Sequence, residues 1–217
     1  MSSRDAILSR VRTALAGEGP RETPPVHPVW PRENPSVDKM AERFSQELQL
    51  VSGEAIRCRS TEEAQLRLGD LVEQGQWKAV GAMDRPLVRE LVGGLAPGLL
   101  DWGKPAVQAQ EMAHLDAAVV EADSLVADTG TSMVACGTTW ERLLCYLPPV
   151  CVVVATADRL VEHLPAAWDK VAPRAADLAL RGEFVFITGP SRTADIEKIL
   201  ILGVHGPKRL VVLLVAT

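Results

Sequence analysis

Three short segments combine hydroxyl side chains with glycine and could bind an anion. In residues 127–132 (Ala-Asp-Thr-Gly-Thr-Ser), the hydroxyls and exposed N–H groups are suited to hold a phosphate or a carboxylate. The same residues are typical of an ordinary turn, in which Asp128 bonds nearby backbone and Gly130 takes a positive φ. The segment therefore predicts a turn, with an anion site as the second interpretation.

The second segment, residues 187–197, predicts a strand end followed by a helix that begins near Ser191 or Thr193. A helix N-terminus offers an anion unpaired N–H groups and the positive end of the helix dipole. Arg192 adds a cation that can grip an oxyanion with two hydrogen bonds. The alternative is structural: Ser191 or Thr193 caps the helix, and Arg192 pairs with Asp195 at the surface.

The third segment, residues 203–207 (Gly-Val-His-Gly-Pro), places His205 between glycines. His205 could donate to a ligand oxygen or relay a proton, or it could only cap the preceding helix. Polar turns that follow strands gather at the carboxyl edge of an open α/β sheet, so we expect the three segments to share one pocket there. A helix-to-strand loop normally lies at the opposite edge, so His205 reaches that pocket only if its loop folds back. The predicted anion-binding residues are Asp128, Thr129, Gly130, Thr131, Gly189, Ser191, Arg192, Thr193 and Asp195.

Glu121 is a further candidate for catalysis, together with His205. Glu121 directly follows the apolar residues 117–120, which places a carboxylate at a strand end, whereas Asp123 is expected to be solvated. The remaining histidines, among them His163, are also expected to be solvated. No His-Glu-x-x-His or similar group of converging ligands occurs, so no metal site is predicted.

The four cysteines are predicted to be buried free thiols. They are Cys58, Cys136, Cys145 and Cys151. None forms a Cys-x-x-Cys pair, and a disulfide framework is typical of small secreted chains. Iron–sulfur clusters are held by closely spaced cysteine runs, which the sequence lacks. It also lacks a flavin fingerprint and haem ligands, so we expect this chain to bind no cofactor of its own.

The composition describes an ordinary folded chain of 217 residues, 47% hydrophobic and 24% charged. A formal net charge of −5 and an aromatic content of 4% argue against a nucleic-acid binder, which would carry a basic surface or a row of stacking platforms. No apolar run reaches the roughly 18–20 residues that span a bilayer, and the first residues lack the layout of a signal peptide. We therefore expect a cytoplasmic protein.

Two regions are expected along the chain. Residues 3–16 predict an amphipathic helix, because apolar residues recur at helical spacing. Prolines crowd residues 17–36, which favours an extended linker. We therefore interpret residues 1–36 as an appendage and residues 37–217 as one α/β domain.

Within that domain, helical and strand patterns alternate. Residues 37–50 predict a helix, and residues 117–121 and 150–156 predict strands; the apolar run in the last of these is typical of a strand covered on both faces. The alternation predicts an open, mostly parallel sheet with helices on both faces. Closely spaced apolar runs around residues 128–130 predict a turn in a locally antiparallel region.

Together the motifs resemble the LUD-domain family. They are residues 127–131, Arg142-Leu143 with Leu147-Pro148, residues 188–197 and residues 203–207. The resemblance extends roughly from residue 37 to the C-terminus. It implies a fold like those of ribose-5-phosphate isomerase, glucosamine-6-phosphate deaminase and the CoA transferases, which agrees with the α/β prediction.

The resemblance also implies a role in oxidising L-lactate to pyruvate, in a three-part system whose other members carry iron–sulfur clusters. We therefore expect an accessory, non-redox subunit with iron–sulfur subunits as partners and a pocket for a small carboxylate or phosphate. A larger family member adds a ferredoxin-like cysteine region, whose spacing the four cysteines here do not reproduce. The alternative is a stand-alone isomerase- or CoA-transferase-like enzyme that uses Glu121, since a glutamate is the nucleophile of CoA transferases.

Overall fold

The computed structural model describes residues 2–16, 30, 33–104, 107–175, 183–193 and 201–216. The chain divides into two units, Met1–Pro31 and Arg32–Thr217. In the first unit, helix α1 (Ser3–Leu15) begins with a capping box, in which the side chains of Ser2 and Asp5 each bond the other's backbone N–H. All described residues of α1 are exposed, and its bounds agree with the predicted helix.

The second unit contains the remaining helices and all of the described strands. The helices are α2 (Val37–Leu50), α3 (Thr61–Gly75), α4 (Pro86–Val92), α5 (Thr139–Leu144) and α6 (Leu164–Ala175). The strands are β1 (Glu54–Cys58), β2 (Val80–Ala82), β3 (Leu100–Asp101), β4 (Ala117–Glu121), β5 (Ser124–Val126), β6 (Thr131–Ala135), β7 (Val150–Thr156), β8 (Leu160–Val161), β9 (Phe184–Ile187), β10 (Arg192–Thr193), β11 (Ile201–Leu202) and β12 (Arg209–Val215). No helix within the described ranges is long and apolar enough to cross a membrane.

A six-stranded parallel sheet forms the centre of this unit. Its order is β1-β12-β7-β4-β2-β3, and every neighbouring pair is parallel. The inner strands β4, β7 and β12 are almost wholly buried, which explains their continuously apolar sequences. This confirms the α/β class and the mostly parallel sheet.

The order of the central sheet reverses between β2 and β4. From β2 the chain passes to β3 at one edge, whereas from β4 it passes to β7 and then to β12 in the opposite direction. Such a reversal opens a crevice at the carboxyl ends of the two strands, and ligands of open α/β sheets bind there.

A second sheet has the order β8-β5-β6-β9 and contains the predicted antiparallel region. Strands β5 and β6 form an antiparallel hairpin whose turn spans residues 127–130. Gly130 has φ +61°, and a Cβ there would lie 2.4 Å from the backbone nitrogen of Leu48 in α2. The predicted turn is thus confirmed, and its glycine also lets the hairpin pack against a helix backbone.

The prediction that a helix begins near Ser191 or Thr193 is wrong. Arg192 and Thr193 form β10, which pairs antiparallel with β11. The N–H of Ser191 donates to the carbonyl of Pro207 at 2.8 Å, so the backbone is tied into a loop that precedes β12. Residues 194–200, which include Asp195, lie outside the described residues.

Candidate functional site

A charged cleft of about 570 Å³ opens where the order of the central sheet reverses. Its lining residues follow three neighbouring strands of the sheet. They are Arg85, Pro86, Leu87 and Glu90 after β2, Glu121 and Asp123 at the end of β4, and Thr156 and Arg159 at the end of β7. We call this the carboxyl-edge cleft. Its position is the one at which ligands of open α/β sheets bind.

Arg85 is a largely buried cation held by several acceptors. Its guanidinium lies 3.1 Å from Asp123 Oδ2 and 3.5 Å from Glu141 Oε1, and it donates to the carbonyl of Ala135. Asp123 also accepts the N–H of Ala135 at 2.7 Å. Asp123 is therefore buried and paired, which corrects the expectation of solvation. These bonds tie the end of β2 to the hairpin of the second sheet.

Glu121 and Arg159 form a second, looser pair in the cleft. Glu121 is 6% exposed. Its Oε2 accepts the N–H of Leu87 at 3.3 Å, and its Oε1 lies 3.4 Å from Arg159 Nη2. The side chain of Arg159 is 35% exposed and also donates to the carbonyl of Ala122 at 3.5 Å. The cleft thus presents a buried carboxylate beside a partly exposed guanidinium.

The sequence pattern identifies Glu121 at a strand end but does not identify Arg85 or Arg159. Each arginine follows the last residue of its strand by three positions, after β2 and after β7. In the sequence neither arginine directly follows its apolar run, because Asp84 precedes Arg85 and Asp158 precedes Arg159, so the pattern that marks Glu121 does not mark them.

The first and second predicted segments meet through threonine hydroxyls. Thr131 Oγ1 shares hydrogen bonds of 2.8 Å with Thr129 Oγ1 and with Thr188 Oγ1. Gly189, with φ +83°, packs close to the carbonyl oxygen of Val51 at the end of α2. The hydrogen bonds among the threonines are those of a turn, and the contact of Gly189 with Val51 is one of helix packing.

The second and third segments also meet, but not at the carboxyl edge. Ser191 bonds Pro207, and Gly206 packs against the Ser191 side chain. Pro207 lies two residues before β12 begins, so this junction is at the amino edge of the central sheet. The expected location at the carboxyl edge of the central sheet is therefore wrong, because the strand that precedes Ser191 belongs to the second sheet. A pocket shared by the three segments stays a prediction. Arg192 and His205 are exposed at this junction, and anion binding there stays a prediction.

Asp128 lies in a partly desolvated position beside α2. Burial raises the pKa of its carboxyl above the usual value, and the nearby charges of Arg43 and His163 oppose that rise. Its Oδ1 is buried and has no hydrogen-bond partner among the described residues. His163 is itself buried, at 4% exposure, which corrects the expectation of solvation.

The four cysteines are free and buried, as predicted. Burial raises the pKa of Cys58 to about 11 and that of Cys151 to about 12. A hydrogen bond with Cys136 and burial raise the pKa of Cys145. Across the part of the chain that the structure describes, no three His, Cys, Asp or Glu side chains are placed to hold a metal ion.

Comparisons with known proteins identify a family for most of the chain. The sequence model of the LUD domain family matches residues 41–215. A lactate utilization protein C from Bacillus pumilus is 25% identical over 249 residues, covering 99% of this chain and 97% of that protein. Its namesake from Shouchella clausii is 26% identical over 221 residues, covering 95% of each chain. A crystal structure of a DUF162 family protein from Deinococcus radiodurans shares the fold, with a TM-score of 0.57 and 17% identity over 83% of this chain and 99% of that one.

Proposed function

The chain belongs to the LUD domain family, and we propose that it takes part in lactate utilisation as an accessory, non-redox subunit of a system that oxidises L-lactate to pyruvate. One observation carries the proposal: two relatives named lactate utilization protein C match almost end to end, over 95% or more of each chain. The similarity therefore includes the region before the LUD domain and is not confined to a fold that many proteins share.

The spacing of the cysteines supports the non-redox part of the proposal. An iron–sulfur cluster is held by closely spaced cysteine thiolates, whereas Cys58, Cys136, Cys145 and Cys151 include no Cys-x-x-Cys pair. All four are buried free thiols in the structure. On this proposal the electrons taken from lactate pass through partner subunits that carry iron–sulfur clusters, and this chain binds a small carboxylate.

Growth of the source organism after deletion of the coding sequence tests the proposal. We expect growth on L-lactate to be lost and growth on pyruvate to be normal, because pyruvate enters metabolism after the oxidation step. The full chain supplied in trans should restore growth on lactate. Unimpaired growth of the deletion strain on L-lactate would contradict the proposal.

A second candidate function is a stand-alone enzyme of the isomerase or CoA-transferase type, with Glu121 as its catalytic carboxylate. The observation that favours it is the position of Glu121 in the carboxyl-edge cleft. Both oxygens of Glu121 already face donors, from Leu87 and Arg159, which makes the carboxylate a poorer nucleophile. Mass spectrometry after incubation with an acyl-CoA tests the CoA-transferase form of this candidate: a glutamyl thioester on Glu121 supports that form, and its absence contradicts it.

A further inference from the structure

We infer that the carboxyl-edge cleft binds an α-hydroxy carboxylate, with Arg159 holding the ligand carboxylate and Glu121 accepting a hydrogen bond from the ligand hydroxyl. The inference deepens the proposed function and rests on it, because lactate is the α-hydroxy carboxylate that this function brings to the chain.

The first step concerns which cation in the cleft is available. Arg85 is mostly buried, and two carboxylates and a carbonyl already surround its guanidinium. Arg159 is 35% exposed, and its contacts with Glu121 and Ala122, at 3.4 and 3.5 Å, are longer than well-made charged hydrogen bonds. A guanidinium carries five N–H donors in a planar fork, so Arg159 can take a carboxylate with two hydrogen bonds while keeping its present neighbours.

The second step concerns what Glu121 selects. A carboxylate only accepts hydrogen bonds, so Glu121 attracts the ligand hydroxyl and leaves the ligand carboxylate to Arg159. The N–H of Leu87 fixes one of its oxygens, and the other lies on the side of Arg159. A cation and an acceptor side by side match a ligand whose carboxylate and hydroxyl are on adjacent carbon atoms.

The third step concerns discrimination between substrate and product. A hydroxy acid donates its O–H to Glu121, whereas the corresponding keto acid has a carbonyl oxygen in that place and no proton to donate. The carbonyl oxygen and the carboxylate of Glu121 would repel each other. The cleft should therefore prefer lactate over pyruvate, and also over propionate, which lacks the oxygen altogether.

Calorimetric titration of the full chain tests the inference. We expect L-lactate to bind, and propionate and pyruvate to bind roughly ten- to a hundredfold more weakly, the ratio expected for loss of one hydrogen bond to a charged group. Arg159→Ala should weaken lactate binding by a similar factor, and Arg159→Lys by less, since it keeps the charge without the fork. Glu121→Gln should weaken lactate binding more than propionate binding. The ratio of the affinity for lactate to the affinity for propionate should therefore fall.

The matched control is Arg209→Ala. Arg209 is 41% exposed and is paired with Glu54 at 2.8 Å, so it has the same side chain and a similar exposure, but it lies at the amino edge of the sheet. Its removal should leave lactate binding unchanged. Equal affinity of the Arg159→Ala variant and the wild-type chain, or equal affinity for lactate and propionate, would overturn the inference.

The titration and the growth experiment fail independently. If the wild-type chain does not bind L-lactate but is needed for growth on it, the site is overturned and the proposed function stands. If the chain binds lactate through Arg159 but is dispensable for growth on it, the site stands and the proposed function is overturned.

Discussion

At the scale of single residues, the carboxyl-edge cleft uses arginine in two ways. Arg85 is enclosed and bonded to Asp123, to the carbonyl of Ala135 in β6 and to Glu141 in α5, so its charge holds the base of the cleft together. Arg159 is more open and loosely paired. Breaking a buried ion pair leaves a desolvated charge behind, whereas exposed pairs contribute little because water and salt screen them.

Removal of each arginine should therefore have a different effect on stability. We expect Arg85→Ala to lower the free energy of unfolding by about 3 kcal/mol or more, because the buried Asp123 carboxylate loses its ion pair with Arg85. Arg159→Ala should cost about 1 kcal/mol or less. Urea denaturation of both variants beside the wild-type chain measures the difference, and equal losses would show that the ion pair of Arg85 with Asp123 does not stabilise the core.

The contribution of Asp128 to the free energy of unfolding should fall as the pH rises. Burial raises the pKa of its carboxyl in the folded chain, so folding disfavours the charged form. Stability from this group is therefore greatest below the unfolded pKa of about 3.9 and falls as the pH rises through the folded pKa. Asp128→Asn should raise the free energy of unfolding at pH 7, by less than about 1 kcal/mol because the carboxylate is only half-buried.

The advantage of Asp128→Asn should disappear when thermal unfolding is repeated near pH 3, where the wild-type carboxyl is neutral as well. A variant less stable than the wild-type chain at pH 7 would mean that attraction by Arg43 outweighs the burial of Asp128.

At the scale of elements, the contact between the hairpin turn and α2 fixes where the second sheet lies. Gly130→Ala should lower the free energy of unfolding by roughly 2 kcal/mol or more, because φ is +61° and the new Cβ would meet the Leu48 backbone. Gly69→Ala is the control, since a Cβ at this position of α3 has no atom within 4 Å. That change should be neutral or stabilise by up to about 1 kcal/mol. Chemical denaturation compares them, and equal effects would refute the contact.

The bounds of a helix or strand were predictable where its apolar residues follow the period of that element and are buried in the fold. Helix α2 and strands β4 and β7 have the bounds that their sequences indicate, because each buries a continuous run or a regular stripe of apolar residues. Strand β10 was mistaken for a helix start, because serine and threonine suit a cap as well as a loop. Residues 192–193 form a strand only because they pair with β11, and no pattern within these two residues indicates that partner.

At the scale of the whole molecule, the buried core lies within the family-matched region. In the second unit the core begins at Ala41, so residues 1–16 supply none of its described members. Deleting residues 1–16 should therefore change the free energy of unfolding by less than about 0.5 kcal/mol. Thermal unfolding followed by circular dichroism checks this. A clear loss of stability would assign α1 a structural role.

The candidate site was predictable only in part, because it depends on strand order. Glu121 was recognisable as a carboxylate just beyond an apolar run. Arg85 and Arg159 lie near Glu121 because β4 lies between β2 and β7 in the central sheet. Long crossover connections along the chain produce this strand order. The sequence shows that strands exist but leaves many orders possible, so the arginines looked like any other charged residues at a loop.

The position of β12 has a consequence for synthesis on the ribosome. This strand is synthesised after the other strands of the central sheet, but it lies between β7 and β1. Within the described sheet, β1 pairs with β12 alone. A nascent chain can therefore pair β2, β3, β4 and β7 before β1 can be added, and during that time an apolar edge of β7 is unpaired. Such an open edge invites pairing with other chains, so the half-made protein is where aggregation and the need for chaperones should be greatest.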